Sequence, residues 1–342
     1  MMSCTSPGCY LIPRQGGKPQ RLMEDYPLGA HPLGRVVYLP CGGCLACRRE
    51  RRQELTLLQC LEASLHDENW FITLTYEDWQ TMQLTGLPPY SLNRKHLSDF
   101  CQLMRKYARY HGEEFRFFAC GEYGERNERP HYHLTVFGLS SKILGIAENC
   151  DSETIRRVGI NHGQIIRKIQ EPLRDSQGNA YWQSQIISDR WPYGHHKIYC
   201  ANRETMQYVA GYVTKKLSGA AGRDFRASGK ISEFQAQSRP SIGRPWFSKF
   251  CQSLSLPDSG ERLVNDVVSI DGITWKCPRI FDKWLKAMDY FDGEQISNYI
   301  KTLRTLKSPL IPDRQELKRK ADFDRYSAAH YNDIKRLHKE VT

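Results

Sequence analysis

Tyr208 and Tyr212 stand four residues apart in Tyr208-Val-Ala-Gly-Tyr212-Val-Thr-Lys215-Lys216. On a helix that spacing puts two phenols on one face, a turn apart, with Lys215 and Lys216 one turn further on. A phenol titrates near 10 and is a poor nucleophile unless its oxyanion is stabilised and the group it attacks is polarised. A divalent ion does the second job. Ligands for one occur at His131-Tyr132-His133. In a strand, residues two apart face the same way, so both imidazoles reach one ion while Tyr132 turns toward the core. Glu122 lies in the preceding apolar run, and hairpin pairing would bring it beside the histidines. Two imidazoles and a carboxylate suit Mg²⁺ or Mn²⁺ with positions left open for a phosphate oxygen. The bland readings are a core aromatic pair for the tyrosines and surface histidines on an edge strand. Taken together, phenol, ammonium and metal ligands would cut single-stranded DNA, leaving a 5′-phosphotyrosine and a free 3′-hydroxyl. No G-x-x-x-x-G-K-[ST] phosphate loop occurs, and exchanging similar phosphodiesters needs no ATP.

A second ligand set is Cys41, Cys44 and Cys47, spaced C-x-x-C-x-x-C. Two-residue spacers let thiolates converge on one tetrahedral Zn²⁺ or on an iron-sulfur cluster. A fourth ligand could be Cys4, Cys9, Cys60 or a histidine, and a reduced, metal-free thiol cluster is the alternative. The chain has 12 cysteines in 342 residues and opens without the apolar core of a signal peptide. That argues for a reducing, cytoplasmic setting rather than a secreted disulfide framework. No apolar run approaches the ~20 residues of a membrane helix. Lys plus Arg exceed Asp plus Glu by 11, and the pI is about 9.0. Nine of those charges come from residues 1–60 and 301–342. Such an excess fits a polyanionic partner held at the phosphates, and Arg48, Arg49, Arg51 and Arg52 are the densest basic group.

The elements that must position these groups follow from periodicity. Residues 1–40, rich in Gly and Pro, read as an irregular arm. An amphipathic helix runs from Arg48 to about Leu65 through Leu55, Leu58 and Leu61. Trp70–Tyr76 is a strand. Ser91 caps a helix whose buried stripe is Leu92, His96, Leu97, Phe100, Leu103, Met104 and Tyr107. Phe115–Tyr123 and His131–Phe137 form an antiparallel hairpin across a polar turn. A short helix near 153–158, a strand near 164–169, a polar excursion at 177–179 and a strand at His195–Cys200 come next. The tyrosine helix spans about 202–217. Residues 218–246 read as a mobile basic loop, 262–291 as mixed strand and helix, and 313–340 as a charged helix. This order gives an α+β fold with helices against an antiparallel sheet. The expected division is 1–66, an arm with the cysteine cluster and basic helix; 67–250, the catalytic domain; and 251–342, a C-terminal extension.

Four stretches, Phe71-Ile-Thr-Leu-Thr-Tyr76, Gly121-Glu122-Tyr123-Gly124, Arg129-Pro-His131-Tyr-His133 and Tyr208 to Lys216, together resemble the HUH endonucleases that initiate rolling-circle replication. The likeness is greatest to the replication initiators of small single-stranded DNA phages of the microvirus, gokushovirus-like type. Cys41 to Arg48, Trp191 to Gly194, Ser241 to Arg244 and Pro278 to Lys283 are similar to further stretches of that family, so the match covers about 41–285. The resemblance implies a five-stranded antiparallel palm flanked by helices, and a metal held by His131, His133 and Glu122. It implies Tyr208 and Tyr212 as alternating nucleophiles, with Tyr212 first because Tyr212 and Lys215 fit a Y-x-x-K pattern. It also implies origin DNA, single-stranded or supercoiled, as partner, with host helicase and polymerase cooperating. Two rivals are a non-catalytic zinc-containing nucleic-acid-binding protein and an HUH transposase or relaxase.

Overall fold

The structure is a computed structural model and describes residues 4, 7–15, 18–23, 29–77, 91–124, 128–149, 167–169, 171–214, 227–253, 267–270 and 272–287. It resolves into two compact units, one holding Met1–Arg52 and the other Gln53–Ile300.

In the first unit, β1 (Gly8–Pro13), β2 (Gln20–Arg21), β3 (Gly29–His31) and β4 (Gly34–Leu39) form one sheet in the order β2-β1-β4-β3. This corrects the irregular arm expected for residues 1–40. Its alternation is short but real: Cys9 and Leu11 on β1 and Val36 on β4 are buried together. Helix α1 (Leu45–Ala63) starts in this unit and continues into the second.

The second unit is built on a palm. Strand β5 (Asn69–Tyr76) is followed by α2 (Arg94–Tyr110), then β6 (Arg116–Tyr123) and β7 (Pro130–Phe137). Two small hairpins follow, β8 (Ala147–Asn149) with β9 (Arg167–Ile169), and β10 (Leu173–Arg174) with β11 (Ala180–Tyr181). The expected helix near 153–158 and the first part of the expected 164–169 strand lie outside the described residues. At the β10–β11 turn Asp175 Oδ1 accepts from the backbone N–H of Gln177 and of Asn179, both at 2.9 Å. Next come α3 (Gln185–Ser188), β12 (Gly194–Cys200), α4 (Arg203–Thr214), β13 (Phe234–Gln237) and α5 (Arg244–Ser253). A hairpin of β14 (Val267–Ile270) and β15 (Ile273–Lys276) precedes α6 (Ile280–Lys286). The expected helix at 313–340 lies outside the described residues.

The palm order is β12-β5-β7-β6-β13, with every pair antiparallel. Its fifth strand, β13, and the start of α5 fall where a mobile loop was expected over 218–246. The segment Phe-Gln-Ala-Gln carries one buried aromatic, Phe234, and takes its partner from β6, more than a hundred residues earlier. One face of the palm, with Ile72, Leu74, Tyr132, Leu134 and Ile198, packs on α2. Asn93, not Ser91, caps α2: its side chain accepts from Lys95 N at 2.9 Å. The buried stripe of α2 uses Cys101 and Ala108, while Leu103 is 46% exposed. The opposite face, with Phe71, Phe118, Cys120 and Phe137, packs on α1, α4, α5 and α6.

Candidate functional site

The two central strands generate the metal-ligand set through register. Glu122 lies directly opposite His131, and His133 is the next residue inward on the same face. Both imidazole Nε2 atoms point at Glu122 Oε1, His133 at 2.9 Å and His131 in closer contact. The other ring nitrogens are held from behind: His131 Nδ1 by the Arg129 carbonyl at 2.9 Å, and His133 Nδ1 by Thr73 Oγ1 at 3.1 Å. That arrangement presents Nε2 to an ion and is the usual support for a ligating histidine. Glu122 is 1% exposed, and its second oxygen, Oε2, is buried without a hydrogen-bond partner. A buried orphan carboxylate oxygen beside two aligned imidazoles is costly unless something cationic meets it. The ligand atoms of all three residues lie within 4.8 Å of one another. The donor set therefore fits a divalent ion with open coordination positions.

Electrostatics agree. Burial pushes the Glu122 carboxyl up, but hydrogen bonds from His131 and His133 outweigh it and leave the group below the usual carboxylate range. Burial disfavours charge on both histidines. At His131 the Glu122 hydrogen bond and charge win and raise its pKa, whereas His133, more deeply placed and beside His131, stays below its ordinary value. A neutral His133 is ready to ligate.

The tyrosines arrive on α4, which begins just past β12. Asn202 and Thr205 form a reciprocal cap: Thr205 N donates to Asn202 Oδ1 at 2.8 Å, and Asn202 N to Thr205 Oγ1 at 2.9 Å. Met206, Val209 and Ala210 make the buried stripe of the helix. With that stripe seated, Tyr208 and Tyr212 fall against the histidine face of the palm. The His133 ring centroid is 5.2 Å from that of Tyr208, edge to face, and 5.7 Å from that of Tyr212, stacked at 19°. The two phenol rings are 4.6 Å apart. Tyr208 is 42% exposed. The structure thus brings Glu122, His131, His133, Tyr208 and Tyr212 to one place. Lys215 and Lys216 lie outside the described residues.

Three contributors were missed in the sequence. Thr73 orients His133 from β5. Phe71 stacks on His133 at 5.4 Å and meets Tyr208 edge-on at 6.1 Å. Gln59, fully buried on α1, donates from Nε2 to Met206 O at 3.1 Å, and its Oε1 accepts from Thr135 Oγ1 at 2.8 Å. It ties the tyrosine helix to the strand of the histidine pair. Thr73 carried a signal, its place two residues from Phe71 in a predicted strand. Gln59 carried none, since a single polar residue on an amphipathic helix reads as surface.

In the other unit, Cys41, Cys44 and Cys47 meet Cys4, with all four Sγ atoms within 4.8 Å of one another. Of the fourth ligands left open, Cys9 sits in the small sheet's core and Cys60 contacts Met206. Arg48, Arg49, Arg51 and Arg52 occupy the first turns of α1, Arg49 and Arg51 exposed and the other two half-buried.

Residues 69–217 match the family model for replication-associated proteins of the ORF2 type. The matched segment runs from β5 through the tyrosine helix and so contains the whole constellation. Over 81% of its length the chain is 25% identical to the "Replication-associated protein ORF4" of Chlamydia phage 1, covering 61% of that protein. It is 27% identical over 78% of its length to the "Replication-associated protein ORF2" of Spiroplasma virus 4, covering 72% of it. To the "Replication-associated protein VP4" of Bdellovibrio phage phiMH2K it is 23% identical over 72%, covering 67%. The chain thus spans about three fifths of the Chlamydia phage protein and somewhat more of the other two. Triad, palm centre and tyrosine helix all fall within the match, so the part of the chain from 69 to 217 belongs to the ORF2-type family of replication-associated proteins.

Proposed function

We propose that this protein initiates rolling-circle replication of a phage genome by nicking and rejoining single-stranded origin DNA through a 5′-phosphotyrosine. The observation that carries the reading is the seating of both α4 phenols on His133, the inner member of the Glu122–His131–His133 set. Relatives named for replication agree with it.

In the cut, a phenol oxygen of α4 forms a bond to phosphorus and the bond from phosphorus to the upstream 3′ oxygen breaks. The phenol releases its proton, and the leaving 3′ oxygen takes one from water. Mg²⁺ or Mn²⁺, when held by His131, His133 and Glu122, would polarise a phosphate oxygen and orient the phosphodiester. The chain supplies the rest: Thr73 and the Arg129 carbonyl fix the imidazoles, Gln59 fixes the tyrosine helix, and Phe71 walls the cleft. Tyr212, stacked parallel to His133, makes the first cut. Tyr208, one turn away, attacks the regenerated origin after a round of synthesis, and that second attack rejoins the strand. Lys215 and Lys216 assist at the scissile phosphate, and Arg48, Arg49, Arg51 and Arg52 hold DNA backbone. Helicase and polymerase come from the host, whose cytoplasm is the working compartment. Among the described residues no helix is long and apolar enough to cross a membrane.

The test is a denaturation-resistant protein–DNA adduct formed on single-stranded origin DNA with Mn²⁺. It is expected with the native chain and lost in Glu122→Gln and in the Tyr208→Phe, Tyr212→Phe double variant. An adduct that persists in the double variant overturns the assignment.

A further inference from the structure

Outside the palm, the described residues gather a second group of metal-ligand type: the four thiols of Cys4, Cys41, Cys44 and Cys47. We propose that these cysteines bind one Zn²⁺ as a closed four-thiolate site that staples the β1–β4 sheet to the start of the arginine-bearing helix α1. The inference is independent of the nicking chemistry.

Strand register explains how Cys4 reaches the others. Gly8 pairs with Leu39 in the antiparallel β1–β4 ladder, so the chain entering β1 and the chain leaving β4 emerge at the same end of the sheet. Cys4 and Cys41, 37 residues apart in sequence, meet there, with Cys41 N donating to Cys4 Sγ at 3.2 Å. The C-x-x-C-x-x-C run then folds back on itself. Gly42 adopts φ +71, a left-handed conformation that suits glycine, and lets the turn close. Cys44 N donates to Cys41 Sγ at 3.3 Å and Cys47 N to Cys44 Sγ at 3.5 Å. Backbone N–H groups aimed at three of the sulfurs offset negative charge, and negative charge is what four thiolates bring to a metal.

The distances select the occupant. With Zn–S near 2.3 Å, the edge of a tetrahedral ZnS₄ unit is roughly 3.8 Å. Cys44 Sγ and Cys4 Sγ are 3.8 Å apart. A disulfide needs about 2.05 Å, and all four cysteines are free. An iron-sulfur cluster places its thiolates on different irons and spreads them further than ligands of a single ion. Cys44 immediately precedes α1 and Cys47 lies in its first turn. An ion here therefore fixes the turn that carries Arg48, Arg49, Arg51 and Arg52.

The full chain, purified in reductant without added metal, is expected to hold about one zinc per chain that survives EDTA and is released when a mercurial titrates the thiols. Cobalt substitution should give the d–d spectrum of a tetrahedral thiolate site. Cys4→Ser and Cys41→Ser should each lose the zinc, while Cys9→Ser and Cys60→Ser should keep it. The double variant His131→Ala, His133→Ala should also keep it, which separates this ion from any ion at the palm. Releasing zinc from the native chain should expose Arg48–Arg52 to trypsin, a readout that needs no variant to fold. Absence of zinc, stoichiometric iron in its place, full zinc retention in Cys4→Ser, or tryptic cleavage unchanged by zinc release would each overturn the proposal.

Discussion

At Glu122 burial and charge act in opposite directions on one carboxyl. Burial at 1% exposure disfavours the anion, and the two imidazoles restore it. The residue therefore has to be read as half of a pair with whatever cation meets Oε2. Glu122→Gln keeps the shape and removes the charge. Its Mn²⁺ affinity, measured by titration, should fall at least about 100-fold, with adduct formation falling in parallel. The tyrosines differ at the same scale. Tyr212 stacks on His133 and Tyr208 meets it edge-on, so the two are not equivalent. Tyr212→Phe should slow the first cut at least about 100-fold, whereas Tyr208→Phe should cut normally and fail to rejoin. Gel assays with separately labelled donor and acceptor strands distinguish the two steps. Equal defects in both single variants would remove the ranking.

The tyrosine helix is placed at the scale of elements by Gln59, which no phosphate-chemistry argument would select. Gln59→Leu preserves volume but leaves Met206 O and Thr135 Oγ1 without their partner. It should cost about 1 to 3 kcal/mol in chemical denaturation, and reduce cutting while Mn²⁺ affinity stays unchanged. A second test concerns the edge of the palm. At Gly194 an added Cβ would sit 2.2 Å from Glu77 N and 2.5 Å from Thr75 O, both backbone atoms. Gly194→Ala should therefore destabilise by about 2 kcal/mol or more, seen as a lower melting temperature. Elements were legible where pattern and length reinforced each other. The 69–76, 116–123 and 130–137 strands and the tyrosine helix are long, apolar and periodic. The triad followed from them because hairpin register is local. Short strands among Gly and Pro, such as β1 and β4, carry only two or three buried residues each, and β13 depends on a partner far away in the chain. The fourth thiol was hidden for the same reason, since its place depends on the β1–β4 register and not on spacing within the cysteine run.

For the whole molecule, stability and activity make separate demands on the palm. On its α2 face, His196 is 4% exposed and accepts a hydrogen bond at Nε2 from Ser184 N at 2.8 Å. Burial, with His195 nearby, holds its pKa down to about 4, against 6.5 for the free side chain. The folded state thus binds this proton less readily than the unfolded one. The associated stability is fully present above pH 6.5 and is lost as the pH falls toward 4, to the extent of about 3 kcal/mol. Denaturant midpoints should decline over that window, and His196→Gln should flatten the decline. The net charge of +11 sits mainly at the two ends of the chain, so affinity for single-stranded DNA should fall steeply with added salt. All of these properties serve one covalent event, which can be located directly. Trypsin cutting after Arg203 and Lys215 releases one peptide, Glu204–Lys215, that contains both candidate nucleophiles. After reaction with single-stranded origin DNA and Mn²⁺, followed by nuclease digestion, tandem mass spectrometry of that peptide should find a nucleotide phosphate on Tyr212 or Tyr208. An adduct on any other residue, or none on a chain that binds both the DNA and the ion, would contradict the account.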